Sequence, residues 1–178
     1  ELVSKLLENG WSFESTAKKS FGVISPYAKQ SSFIEGILRT KIGKPLNGAI
    51  STVHRFQGNE RDLMIIDVTK VATNAEPNLG AFLGNSDPLS PSNAMWNVAI
   101  SRARQHVILV TDLETLKMNP SAVISQLAQK MLETAKIVDA SELVSKSAIE
   151  STKTKAKTGS TPGAPSPSTP SPPKPVGS

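Results

Sequence analysis

Short apolar runs separated by polar stretches set the outline of this chain. Leu2, Val3, Leu6 and Leu7 recur at helical spacing, and Gly10 stands where such a helix would stop. FGVIS at 21–25 reads as a strand, and Phe33, Ile34, Ile37 and Leu38 place an apolar stripe on a helix over 28–39. Three more strands are predicted over 48–53, 62–68 and 106–111. The last two are continuously apolar rather than alternating, the pattern of strands covered on both faces. The spacing of Trp96, Ala99, Ile100 and Ala103 predicts a helix running to Arg104. On that helix Arg102 and Arg104 project about 160° apart, on opposite flanks of the apolar stripe, and so have separate jobs. A helix over 121–138 and a short one over 141–150 complete the pattern. Strand and helix in alternation predict an α/β fold with a mainly parallel sheet flanked by helices.

Two stretches fall outside this pattern. Residues 70–92 are polar and rich in Asn, Gly and Pro, and a connection that long inside a domain is either functional or disordered. From Ser151 onward the chain holds seven of its 13 prolines and one large aliphatic residue, Val176, too little apolar surface to offset the entropy of ordering. The expected organisation is one folded domain, 1–150, and a disordered tail, 151–178, serving as a tether, a solubilising end or a docking motif. ELVSK occurs at both 1–5 and 142–146, but the match does not extend, so it reads as coincidence rather than a repeat.

Composition narrows the class. With 178 residues there is room for one domain with a real core. No cysteine is present, which removes disulfides and thiolate metal sites, and His54 and His106 do not make a zinc site by themselves. The run from Val107 to Val110 is far short of the ~20 residues of a membrane helix, and no signal-peptide layout opens the chain. The expectation is an intracellular protein, cytoplasmic or nuclear, with no membrane partner. The net charge of +5 is mostly the tail's, since Lys153, Lys155, Lys157 and Lys174 stand there without an acid. Any nucleic-acid surface in 1–150 must therefore be a local cluster.

Candidate chemistry gathers in three segments, SPYAKQ (25–30), STVHRFQGNERD (51–62) and NVAISRAR (97–104), each read as lying where a strand ends. In open α/β sheets the carboxyl ends of strands form the ligand rim, so the three are expected to meet there. Ser25 is either the cap of the next helix or, with Tyr27 or Gln30, a ligand contact. Gly58 allows a tight turn or close approach, and His54, Arg55, Gln57, Asn59, Glu60, Arg61 and Asp62 crowd around it beyond what a turn needs. No GxxxxGK[ST] occurs, so the chain has no phosphate-binding loop of its own.

In this order the segments resemble motifs IV, V and VI of the second, C-terminal RecA-like domain of superfamily 1 helicases, in the branch of the RNA-decay and senataxin-type enzymes. GVISPYAKQ is similar to motif IV, TVHRFQGNERD to motif V and NVAISRARQHVILV to motif VI, over residues 20–112. The resemblance implies a RecA-like, P-loop NTPase-type fold and a two-domain motor that spends ATP to move on single-stranded DNA or RNA, 5′ to 3′ by analogy. Arg102 would be the catalytic arginine finger, stabilising charge on the transferring phosphoryl group. Glu60 would contact the ribose or γ-phosphate side of ATP, with Gly58 allowing close approach. Thr52 and His54 would touch the nucleic-acid strand, joined by Ser25, Pro26 and Tyr27. ATP and Mg²⁺ would be bound mainly by a partner N-terminal RecA-like domain, which carries the Walker A lysine, the metal-binding acids and the catalytic glutamate. Residues 1–178 alone would then be inactive, an expectation that the start at Glu1 without Met accompanies. Departures are Ala94 and Met95 where the pattern commonly has two arginines, Asn59 for a basic residue, and Ser25 and Ser101 for threonine. They keep open an alternative, a non-catalytic nucleic-acid-binding or protein-docking module derived from a helicase domain.

Overall fold

A computed structural model describes residues 1–43, 46, 48–56, 58–68, 70 and 78–143. The predicted tail, most of the predicted 141–150 helix, residues 71–77 and Gln57 lie outside the described residues. The chain divides into two units, Glu1–Ile137 and one beginning at Val138, of which residues 138–143 are described. In the second, the described part holds the short helix α7 (Ala140–Leu143), entered through Asp139, whose carboxylate accepts from Ser141 N at 2.7 Å.

The first unit is an α/β layer structure in the order α1 (Leu2–Glu8), β1 (Phe21–Ser25), α2 (Ala28–Ile42), β2 (Ile50–Thr52), β3 (Arg61–Asp67), α3 (Gly80–Leu83), α4 (Pro91–Ser101), β4 (Ala103–Val110), α5 (Leu113–Met118) and α6 (Val123–Leu132). Its four strands run parallel in the order β2-β1-β3-β4. Successive residues of a strand point to opposite faces, and β3 supplies both cores in this way. Met64 and Ile66 pack with Trp96, Ala99, Leu116 and Ile124 on the side of α4, α5 and α6. Leu63 and Ile65 pack with Phe13, Phe21, Val23 and Ile50 on the side of α1 and α2, which add Leu2, Leu6, Ile34 and Leu38. This is the doubly covered parallel sheet that the continuous apolar run of β3 predicted.

The run in β4 is covered on both faces too, more thinly: Val107 and Leu109 pack against the first core and Ile108 against the second. Among the described residues it is the edge strand, exposed at Arg104, Gln105, His106 and Val110 and half-buried from Val107 to Leu109. The stretch 70–92 also proves partly built: Leu79 and Leu83, at 2% and 0% exposure, join the core around α3. α4 begins at Pro91, earlier than the apolar spacing suggested, because Ser90 caps it by accepting from Asn93 N and Pro91 takes the first turn. α6 is shorter than predicted, Val123–Leu132.

One connection decides where functional residues go. β2 ends at Thr52, level with Ser25 at the end of β1, whereas β3 starts at Arg61. Arg61 lies six residues before Asp67, so the connection 53–60 must cross about 20 Å of sheet height. It crosses over β1, where Phe56 is fully buried against Gly22. A β-carbon at Gly22 would lie 2.7 Å from Phe56 Cζ, so only glycine leaves room for the ring.

Candidate functional site

Because the strands are parallel, residues at strand ends share one rim of the sheet and residues at strand starts share the other. Ser25 and Thr52 are register partners at the carboxyl rim, and Pro26, Tyr27 and His54 follow directly on those strands. Tyr27 and His54 face solvent, while Ser25 is 1% exposed. Ser25 does not cap α2 either; that place belongs to Tyr27, in extended backbone, with Pro26 outside the helix. Gln30 Nε2 donates to Asp67 Oδ2 at 3.0 Å, tying α2 to the end of β3.

Gly58, Glu60 and Arg102 belong to the amino rim. Glu60 leads into β3, Arg102 leads into β4, and the Arg61 N–H donates to the Arg102 carbonyl at 3.0 Å. The expectation that all three segments meet at the carboxyl ends is therefore corrected. Residues 51–62 begin at one rim and finish at the other, and SRAR precedes its strand. Gly58 has φ +85° with open space where a β-carbon would sit, so glycine serves the turn there.

The predicted helix through Arg104 is also corrected. α4 stops at Ser101, Arg102 is its C-cap and Arg104 is the second residue of β4. Their jobs are nonetheless separate. Arg102 bonds locally, from Nε to Val98 O at 3.2 Å and from Nη2 to Ser101 Oγ at 3.1 Å, where a cation meets the negative end of the helix dipole. Arg104 is committed to the sheet: Nε lies 3.1 Å from Asp62 Oδ1 and Nη2 donates to Ser20 Oγ at 3.1 Å. The register shift between Arg61 and Leu63 gives β4 one extra residue here, a bulge that re-aims side chains. Asp62 Oδ2 accepts from Ser20 N and Ser20 Oγ, both at 2.8 Å. Those bonds first, with Arg104 assisting against the cost of burial, hold the Asp62 carboxyl below the usual carboxylate range.

Arg61 received no role from the sequence. Its side chain is buried, 4% exposed, with its guanidinium carbon 5.4 Å from the centroid of the Phe56 ring. Nη1 donates to the Glu60 carbonyl at 2.9 Å, and Nε is buried without a partner. Burial and then the nearby charge of Arg104 lower its pKa. Asp62, its neighbour in sequence, does not pair with it, because that carboxylate is occupied by Ser20 and Arg104.

Of the two places where the motif pattern has arginines, Met95 is a core residue at 4% exposure and Ala94 is exposed. A shallow groove of about 520 Å³ along α2, lined by Phe33, Gly36 and Ile37 among others, includes none of the candidate residues. Among the described residues no three His, Asp or Glu side chains converge as metal ligands, and no helix is long and apolar enough to cross a membrane. The amino rim thus gathers the guanidiniums of Arg61, Arg102 and Arg104 around the starts of β3 and β4, and among the described residues it holds no three-residue cluster of metal-binding side chains.

Residues 1–114 match the family model described as an AAA domain. The chain is 34% identical over 116 residues to the DNA polymerase alpha-associated DNA helicase A of Saccharomyces cerevisiae, covering 65% of this chain and 15% of that protein. It is 37% identical over 122 residues to regulator of nonsense transcripts 1 of Caenorhabditis elegans, covering 65% and 10% respectively. It is 30% identical over 128 residues to helicase sen1 of Schizosaccharomyces pombe, covering 69% and 7%. The chain therefore spans between 7% and 15% of the length of these relatives. With a parallel sheet flanked by helices and the three motifs in order, the chain belongs to the AAA-domain family of superfamily 1 helicases as a RecA-like motor domain.

Proposed function

We propose that this domain is the second motor domain of an ATP-dependent helicase or translocase acting on single-stranded DNA or RNA. In this reading the amino rim faces ATP held by an N-terminal RecA-like domain, and the carboxyl rim holds the strand. The observation that carries it is the adjacency of Glu60 and Arg102, bridged by the bond from Arg61 N–H to the Arg102 carbonyl. Two residues assigned to the nucleotide from separate motifs thereby come to one rim, and Thr52 and His54 go to the other. Arg102 acts as the finger: its bonds are to its own helix end, so its guanidinium can exchange them for phosphate oxygens at little structural cost. Glu60 meets the ribose or γ-phosphate side, and Gly58 keeps the approach open. Tyr27, Pro26, Thr52 and His54 contact the strand by stacking and polar contacts, which tolerate any sequence. Ser25, being buried, serves by shaping the turn that presents Tyr27. ATP brings Mg²⁺ to the cleft, and both are held mainly from the other domain.

The test is strand-stimulated ATP hydrolysis by the full-length protein, comparing wild type with Arg102→Ala. A finger is worth about 10³ to 10⁵ in turnover, so the variant should lose stimulation by that order with its melting temperature unchanged. Equal activity in wild type and variant would remove Arg102 from the reaction. Absence of stimulated turnover in wild type would favour the second reading, a docking or nucleic-acid-binding module, which the loss of the basic pair at Ala94 and Met95 supports.

A further inference from the structure

Three guanidiniums, those of Arg61, Arg102 and Arg104, stand around the starts of β3 and β4. Two have visible partners that account for their placement: Asp62 and Ser20 hold Arg104, and the end of α4 holds Arg102. Arg61 is different. A buried cation is ordinarily paired with an acid, because desolvation costs more than a neutral hydrogen bond returns. Arg61 is 4% exposed, yet its side chain has only a backbone carbonyl and an aromatic face, and Nε has no partner. Neither neighbouring acid serves it: the Asp62 carboxylate is taken by Ser20 and Arg104, and Glu60 is exposed, offering its carbonyl rather than its carboxylate.

We propose that Arg61 is an electrostatic anchor for a polyphosphate at the amino rim, a fixed buried charge beside Glu60 and Arg102 that attracts phosphate without touching it. The inference rests on the reading above and deepens it by naming a further residue of the nucleotide-facing surface. A charge held in a low-dielectric interior is screened less by salt than one on a mobile surface side chain, and its field is focused outward through the nearest rim. The stack on Phe56 and the bond to the Glu60 carbonyl fix its position, so the field is present before the anion arrives. Arg61 is thus a positioning residue, acting through space and through the Glu60 peptide.

The experiment measures affinity for inorganic triphosphate and melting temperature in the 178-residue chain, for wild type, Arg61→Met and Arg61→Lys. Methionine keeps the length and removes a charge that nothing buried pairs, so the melting temperature should hold or rise. Triphosphate affinity should fall about tenfold in that variant, while lysine retains most of it. The proposal is overturned if Arg61→Met binds as wild type does, if lysine fails to rescue, or if wild type binds no triphosphate at low salt. The last result beside intact Arg102-dependent turnover in the full-length protein removes the anchor alone. A Met-sensitive triphosphate site in a protein without turnover supports the anchor and removes the motor reading.

Discussion

Gly22→Ala would insert one methyl group between β1 and the crossover that joins the two rims. The new carbon would lie 2.7 Å from Phe56 Cζ, 3.1 Å from Phe56 Cε2 and 3.2 Å from the Ala49 carbonyl oxygen. Carbon atoms pack at about 3.5–4.0 Å, so ring and strand must part by about 1 Å. Neither neighbour yields easily, since Phe56 is fully buried and the Ala49 carbonyl accepts from Val23 N at 2.8 Å. Overpacking of this kind costs about 1–3 kcal/mol. Alanine offsets about 0.5–1 kcal/mol, because it loses less chain entropy than glycine on entering a strand. The net expectation is a loss of about 1–2 kcal/mol, or about 2–8 °C in melting temperature for a domain of this size. Urea unfolding of Gly22→Ala, Phe56→Leu and the double variant measures it. Shrinking the ring should relieve the clash, so the pair should couple by at least about 0.5 kcal/mol. A neutral or stabilised Gly22→Ala, or strict additivity, would refute the claim that glycine is there to admit the ring.

Asp62→Asn should cost about 1–3 kcal/mol, because two charge-assisted bonds from Ser20 weaken and Arg104 loses its partner, measured by the same unfolding assay. Since the folded-state pKa of Asp62 is lowered, its contribution is fully present above the unfolded carboxylate value near ~3.9. That contribution is lost as pH falls through the lowered folded value, so a stability profile on the acid limb should be shallower in Asp62→Asn than in wild type. Asp112 caps α5 by accepting from Thr115 N at 3.0 Å, and Asp112→Ala should cost about 1 kcal/mol in thermal unfolding, with Asp112→Asn recovering most of it.

The parts of this molecule that its sequence announces are those set by local periodicity. β3 was legible because six of its seven residues are buried, and that writes an uninterrupted apolar run. β4 writes a similar run and is likewise packed on both faces, but hydrophobicity reports how much a strand is covered and not where it stands in the sheet order. The start of α4 was legible in principle from Ser90 and Pro91, but the polar residues around them read as one long loop. Arg102 and Arg104 were placed on a helix because Ala103 continues its apolar spacing; the chain instead turns from helix to strand at Arg102 alone. The division of the candidate site between rims was hidden for a different reason. Residues 53–60 look like a turn, and only the parallel direction of β2 and β3 makes them a crossover.

The outer side of β4 has a consequence for the chain handled by itself. Among the described residues no strand pairs with it, and an open edge is a template for strand addition. Its first half is guarded by Arg104, Gln105 and His106, all exposed; its second half, Val107 to Val110, carries neither charge nor proline. Such a segment is the kind that zips against a copy of itself. The expected consequence is self-association of the isolated domain that rises with concentration and acts through the end of β4, remote from the arginines at its start.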